Sequence, residues 1–198
     1  MNRTARRTAV HLSLLVGLVA TAGTTSPASA ADHADERAAT SSYVFAPGRV
    51  GPATAGMSRR AALRTGLFVA DLRAEPCPVQ PLAWKGKKRR GQLFVDTTRS
   101  GRIVEMYALR GRFTTTRGVG IGSTYRAVRH AYGARLGAPR PTANGVVAVD
   151  VRRGSGAGTR WLTFGFPETT GATLVASDRV ANLTVRRGTR PQLVSDGC

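Results

Sequence analysis

The chain predicts an α+β fold of two similar units, each a short helix followed by an antiparallel sheet of about three strands. Three observations carry this. Residues 118–133, GVGIGSTYRAVRHAYG, read as a capped helix. Ser123 or Thr124 can accept from the first free helical N–H groups, Gly133 can close the last turn, and Tyr125, Val128 and Tyr132 fall at i, i+3 and i+7 on one apolar stripe. A blurred copy lies upstream in residues 56–67, GMSRRAALRTGL: an offset of 66 matches Gly56 with Gly122, Arg60 with Arg126 and Ala61 with Ala127, and sets Ser58 against Thr124. After each helix come short strand-like runs punctuated by glycine, proline and other turn residues.

The first 30 residues have the form of a signal peptide. Arg3, Arg6 and Arg7 make a positive start, residues 9–22 are mostly apolar, and Ala28-Ser29-Ala30 supplies the small residues for cleavage after Ala30. The apolar part falls short of the about 20 residues of a bilayer span, and no later stretch is long enough. The expectation is a secreted protein, extracellular or wall-associated, with no transmembrane segment after cleavage. Arg6-Arg7 hints at the twin-arginine route, although Sec is the plainer reading. No cysteine stands at the cleavage point, which argues for release or non-covalent attachment. Residues 31–42 are polar, small and aperiodic, a disordered leader. Its His33, beside Asp32, Asp35 and Glu36, would have to lose conformational freedom to hold a metal, so no metal site is assigned there.

The first unit is expected over residues 43–115. A short strand at 43–45 is stopped by Pro47-Gly48, and the first helix runs over 59–67 into a strand at 68–70. Pro76, Pro78 and Pro81 exclude helix and central strand and leave a loop around Cys77. Residues 82–84 and 92–96 read as a hairpin around the basic turn 85–91, and a third strand covers 102–109. The second unit, 116–198, repeats the order: helix 124–132, a Gly/Pro-rich connection, a hairpin of 146–152 with 160–166, an interruption at 167–171, a strand at 180–185 and a tail. Cys77 and Cys198 are the only cysteines. In an exported protein they most simply form one disulfide, closing a loop of about 120 residues for up to ~4–5 kcal/mol in the chain-entropy model, against free thiols or an intermolecular bridge.

Formal charge is +19, and removing residues 1–30 leaves 27 basic against 11 acidic residues, +16. Only Lys85, Lys87 and Lys88 are lysines; with abundant Ala and Gly, the arginine excess is partly what a high-GC genome supplies. Such a charge attracts anionic polymers and surfaces at low salt. Lys85, Lys87, Lys88, Arg89 and Arg90 form an expected hairpin tip, while Arg152-Arg153 and Arg186-Arg187 sit at strand ends. If these loops cluster they make an anion-binding patch; if not, they are solvated turn residues. An acidic wall polymer fits an exported chain better than nucleic acid does, since few aromatics interleave with the charge.

Catalytic chemistry has little to draw on. GVGIGS invites comparison with a dinucleotide loop, but the preceding stretch is polar and no acid follows about 20 residues on; the Gly-Lys-Ser/Thr ending of a P-loop is also missing. The free N–H groups of that helix can still hold an anion. After cleavage only His33 and His130 remain, and no nucleophile elbow, Cys-His pair or zinc motif occurs. Glu105, Asp150 and Glu168 lie on or beside different strands and could converge as a glycosidase pair does. The sequon Asn182-Leu183-Thr184 falls inside a predicted strand and carries no weight. No cofactor, metal or catalytic residue is assigned.

Ala55-Gly56-Met57-Ser58 with Arg60-Ala61, and residues 116–124 with Val128 and Ala131-Tyr132-Gly133, resemble a glycine turn that opens a short helix ahead of an antiparallel sheet. This pattern is similar to that of small secreted proteins of high-GC Gram-positive bacteria, to the tandem-repeat beta-lactamase inhibitory proteins and to the single-unit SmpA/OmlA (BamE-like) lipoproteins. It covers roughly residues 49–188. The chain lacks the lipidated cysteine of the lipoproteins, and its loops are basic or glycine-rich where the inhibitors carry acidic and aromatic contacts. The resemblance implies an exported, non-enzymatic binding or inhibitor-like module with an unknown protein partner. A basic protein binding anionic wall polymers is the alternative, and an unrecognised hydrolase the third.

Overall fold

The computed structural model describes residues 44–70, 82–86, 91–142, 145–167 and 173–193. The signal peptide, the leader, Cys77, residues 87–90, Glu168 and Cys198 lie outside them, so the disulfide expected between the cysteines does too. The described chain is α+β and mostly strand. Its elements in order are β1 (Val44–Ala46), β2 (Arg49–Val50), β3 (Ala53–Thr54), α1 (Arg59–Arg64), β4 (Phe68–Ala70), β5 (Leu82–Trp84), β6 (Gly91–Thr97), β7 (Ile103–Gly111), β8 (Thr114–Thr115), α2 (Tyr125–Tyr132), β9 (Arg140–Pro141), β10 (Val146–Arg153), β11 (Arg160–Pro167) and β12 (Asn182–Arg187). No described helix is long and apolar enough to cross a membrane.

Six strands form one antiparallel sheet in the order β6-β7-β12-β11-β10-β9, and β3-β2-β1-β8 form a smaller sheet in which β8 runs parallel to β1. Alternation along the large sheet sends Leu93, Val95, Met106, Ala108, Leu183, Val185, Leu162, Phe164, Phe166, Val149 and Val151 to one face, where all are buried. Against that face lies α2, with the Tyr125 ring 5.6 Å from Phe166 and the Tyr132 ring 5.4 Å from Phe164, both edge-on. The stripe expected from helical spacing is therefore its buried stripe, Tyr125, Val128 and Tyr132. A side chain as fully buried as Val128 contributes on the order of 1.5–3 kcal/mol.

Both helix starts are capped as the sequence indicates: Ser58 Oγ accepts from Ala61 N at 3.3 Å, and Thr124 Oγ1 from Ala127 N at 3.2 Å. In α2 two more N–H groups are taken, Tyr125 N donating to Asp178 O at 2.7 Å and Arg126 N to Ala176 O at 3.1 Å. This corrects the expectation that the helix start can hold an anion, because its donors are spent on the strap before β12. At Gly120, ahead of α2, the backbone between β7 and β8 comes so close that a Cβ would stand 2.1 Å from Phe113 O. The first helix ends at Arg64, short of residue 67, because Thr65 Oγ1 donates to Ala62 O and accepts from Leu67 N, competing with a further turn.

Strand pairing departs from the expected hairpins in two places. The described ladder of β5 is with β4 rather than β6, Phe68 opposite Trp84. The meanders of the two halves are also not separate sheets, since β12 pairs with β7, Leu183 opposite Ala108 and Arg186 opposite Glu105.

Candidate functional site

One end of the large sheet is lined by arginine. Arg153 stands opposite Arg160, and Arg160 opposite Arg187. Two-residue alternation puts all three on the face of Val151, Leu162 and Val185. Like charges directly opposite on neighbouring strands are destabilising. Among the described residues none of the three makes an ion pair.

Other elements bring more positive charge to the same end. The turn between β1 and β2 docks there, Gly48 N donating to Trp161 O at 2.9 Å. Gly48 has φ +73°, and a Cβ on it would stand 2.8 Å from Arg160 Cβ, so the turn can press onto this arginine only as glycine. Between this turn, the 3-10 turn Gly133–Arg135 and the ends of β10 and β11 lies a cleft of about 260 Å³. Arg49, Arg135, Arg152, Arg153 and Arg160 line it, with Pro47, Thr116 and Tyr132 among the rest, and no carboxylate is among its described lining residues.

The opposite, helix-free face is polar and internally compensated. Register aligns Asp96, Glu105, Arg186, Trp161 and Arg152 in one row and Phe94, Tyr107, Thr184, Thr163 and Asp150 in the next. Phe94 and Tyr107 stack at 5.0 Å and 12°. Glu105 Oε2 accepts from Arg186 Nη1 at 3.3 Å. Burial pushes the Glu105 carboxyl up to about 7; Arg186 pulls it back and the Asp96 charge adds to the rise. Burial also raises Asp96, with Arg186 opposing. Tyr107 is pushed to about 12, by burial first and then by the charges of Asp96 and Glu105. Asp150 is clamped: Arg140 Nε donates at 2.9 Å and Arg190 Nε at 2.6 Å to Oδ2, and Thr163 Oγ1 at 2.6 Å to Oδ1. Arg140 Nη2 also donates to Pro191 O at 2.6 Å, and Arg190 lies 5.6 Å from the Trp161 ring centre, so the knot ties the tail to the sheet.

The residues singled out in the sequence are thus distributed unevenly. Arg153 and Arg187 flank Arg160, and Arg152 lines the cleft, whereas Arg186 faces the other way onto Glu105. Lys85 follows β5, and the chain returns from it to begin β6 at Gly91, the end remote from the arginine row. Lys87, Lys88, Arg89 and Arg90 lie outside the described residues. Glu105 and Asp150 do not converge. They are separated by β12 and β11, about 14 Å at ~4.8 Å per strand, beyond the ~9.5 Å limit of a glycosidase pair. The carboxylate beside Glu105 is Asp96, which sequence reasoning missed, as it missed Arg49, Arg135 and Arg160. Among the described residues no three His, Cys, Asp or Glu side chains group to hold a metal. No family model, curated protein or solved structure matches this chain. The site therefore has to be argued from its own charges and geometry.

Proposed function

We propose that this chain is an exported, non-enzymatic binding module of the cell envelope or medium, and that its ligand is an anionic polymer. The arginine row Arg153–Arg160–Arg187 carries the reading: three like charges in cross-strand register are costly to keep and become favourable when an anion bridges them. The sequence puts a protein partner first; the row moves the polymer ahead of it. Export rests on the form of residues 1–30. Two features support a duplicated helix-plus-sheet architecture of the inhibitor or BamE-like kind: the caps at Ser58 and Thr124, 66 residues apart, and the placing of β6-β7 and β11-β12 on either side of the β7–β12 ladder.

Co-sedimentation of the mature protein with purified Gram-positive walls tests this. Binding should be strong at low salt and fall steeply as salt rises from about 50 to 500 mM, where exposed charges are screened. Absence of binding at low salt, or binding indifferent to salt, would refute it.

A further inference from the structure

We infer that the arginine row continues past β12 onto the turns at Gly56 and Gly101, where Arg102 and Arg59 extend it into one strip of five, and that the strip binds a linear polyanion lengthwise, about one charge to each arginine. The inference rests on the function proposed above and adds to it two binding residues and a minimum ligand length.

Two backbone hydrogen bonds bring these turns together beside the end of β12. Gly56 N donates to Ile103 O at 2.7 Å and Ile103 N to Met57 O at 2.9 Å, so the turn between β3 and α1 lies against the start of β7. Arg187 reaches this junction: its Cδ and Nη1 are each 3.2 Å from where a Cβ on Gly56 would stand. Arg102 reaches it too, Nη1 donating to Gly56 O at 2.5 Å. The carbonyl oxygen and Cβ position of one residue are about 3 Å apart, so the two Nη1 atoms are at most ~9 Å from each other. Arg59 lays its stem on the turn before β7, its Cβ 3.1 Å from a Cβ built on Gly101. Its Nε is buried without a hydrogen-bond partner.

Charge decides what such a strip can hold. Arg153, Arg160 and Arg187 are one strand apart, ~4.8 Å at each step, and the step from Arg187 to Arg102 also falls within the ~10 Å that 0.1 M salt needs to screen a charge. Among the described residues none of the five makes an ion pair. Repulsion therefore runs uncompensated along roughly 20 Å of surface. A small anion relieves it at one step, whereas a chain bearing one negative charge after another relieves it throughout. Arg160 lies against Gly48 and Arg187 against Gly56, so backbone holds both stems and they lose less freedom when a ligand arrives.

The test is calorimetric titration of the mature protein, at low salt, with glycerol-phosphate oligomers of one, three, five and ten units, each unit bringing one charge. Affinity should climb by about threefold per unit up to about five units and then level off. Arg59→Gln with Arg102→Gln should move the levelling point to about three units. The ten-unit oligomer then loses about tenfold, and the three-unit one no more than about threefold, through having fewer registers along the strip. Arg110→Gln with Arg112→Gln removes the same charge at the far end of β7 and should cost less than about twofold at every length. Thermal melts establish that each variant is folded. A levelling point that Arg59→Gln with Arg102→Gln leaves at five units, or equal losses in the two double variants, would overturn the strip while leaving a charge-driven polymer binder. One unit binding as tightly as ten, or no oligomer binding at all, would overturn the strip and the polymer together.

Discussion

Replacing Glu105 with glutamine should remove a fall in stability that the wild-type protein undergoes as pH rises from 4.5 to about 7. Its carboxyl ionises at about 7 in the folded chain against an ordinary 4.5, chiefly because burial penalises the charge, with Asp96 adding and Arg186 subtracting. Between those values the folded state keeps a proton that the unfolded state has released. Stability must therefore decline with pH across this window and level off above it. At about 1.4 kcal/mol per unit the loss is on the order of 3 kcal/mol. Glutamine has no such proton and still offers Arg186 an acceptor oxygen. Urea denaturation at intervals from pH 4.5 to 8 reads both slopes. The wild type should lose stability over the window, and Glu105→Gln should keep only the smaller slope that raised Asp96 contributes in the same direction. A wild type that gains stability with pH, or a variant with an unchanged slope, would refute the reasoning.

Other consequences can be checked by the same measurements. Asp150→Asn leaves Arg140 and Arg190 facing a neutral amide and should cost about 3 kcal/mol in urea melts, with faster proteolysis of the segment at Arg190 and Pro191. Thr124→Ala removes one cap from α2 and should cost ~1 kcal/mol without dissolving the helix, since Asp178 O and Ala176 O still hold the neighbouring N–H groups. Arg160→Gln relieves two cross-strand repulsions and should stabilise the unliganded protein by ~0.5 kcal/mol, a gain that saturating anion abolishes.

What the sequence made legible was local. Ser58 and Thr124 cap where short-range hydrogen bonding says they should, and the i, i+3, i+7 stripe of α2 is buried because no other face of that helix is apolar. What it hid depends on partners distant in the chain. Asp96 and Glu105 become neighbours only through a register that slips twice along β6 and β7. Arg49 and Arg135 line the cleft from β2 and from the 3-10 turn after α2, whose docking no local pattern specifies. Arg160 was within reach: it is the first residue of the strand after the glycine-rich turn, so a hairpin closing on Arg153 must set the two side by side.

The position of β12 has a consequence for how the protein is made. The last strand among the described residues is the one that fills the gap between β7 and β11. Until it arrives, both neighbours expose unpaired edges, and the sheet cannot close around its core. Contacts between segments this far apart in sequence favour slow folding, on the millisecond-to-second scale of sheet-rich domains. A chain cut after residue 167 should be not half a protein but an aggregation-prone one with two bare edges. Melting should accordingly occur in a single transition, with neither half surviving the other.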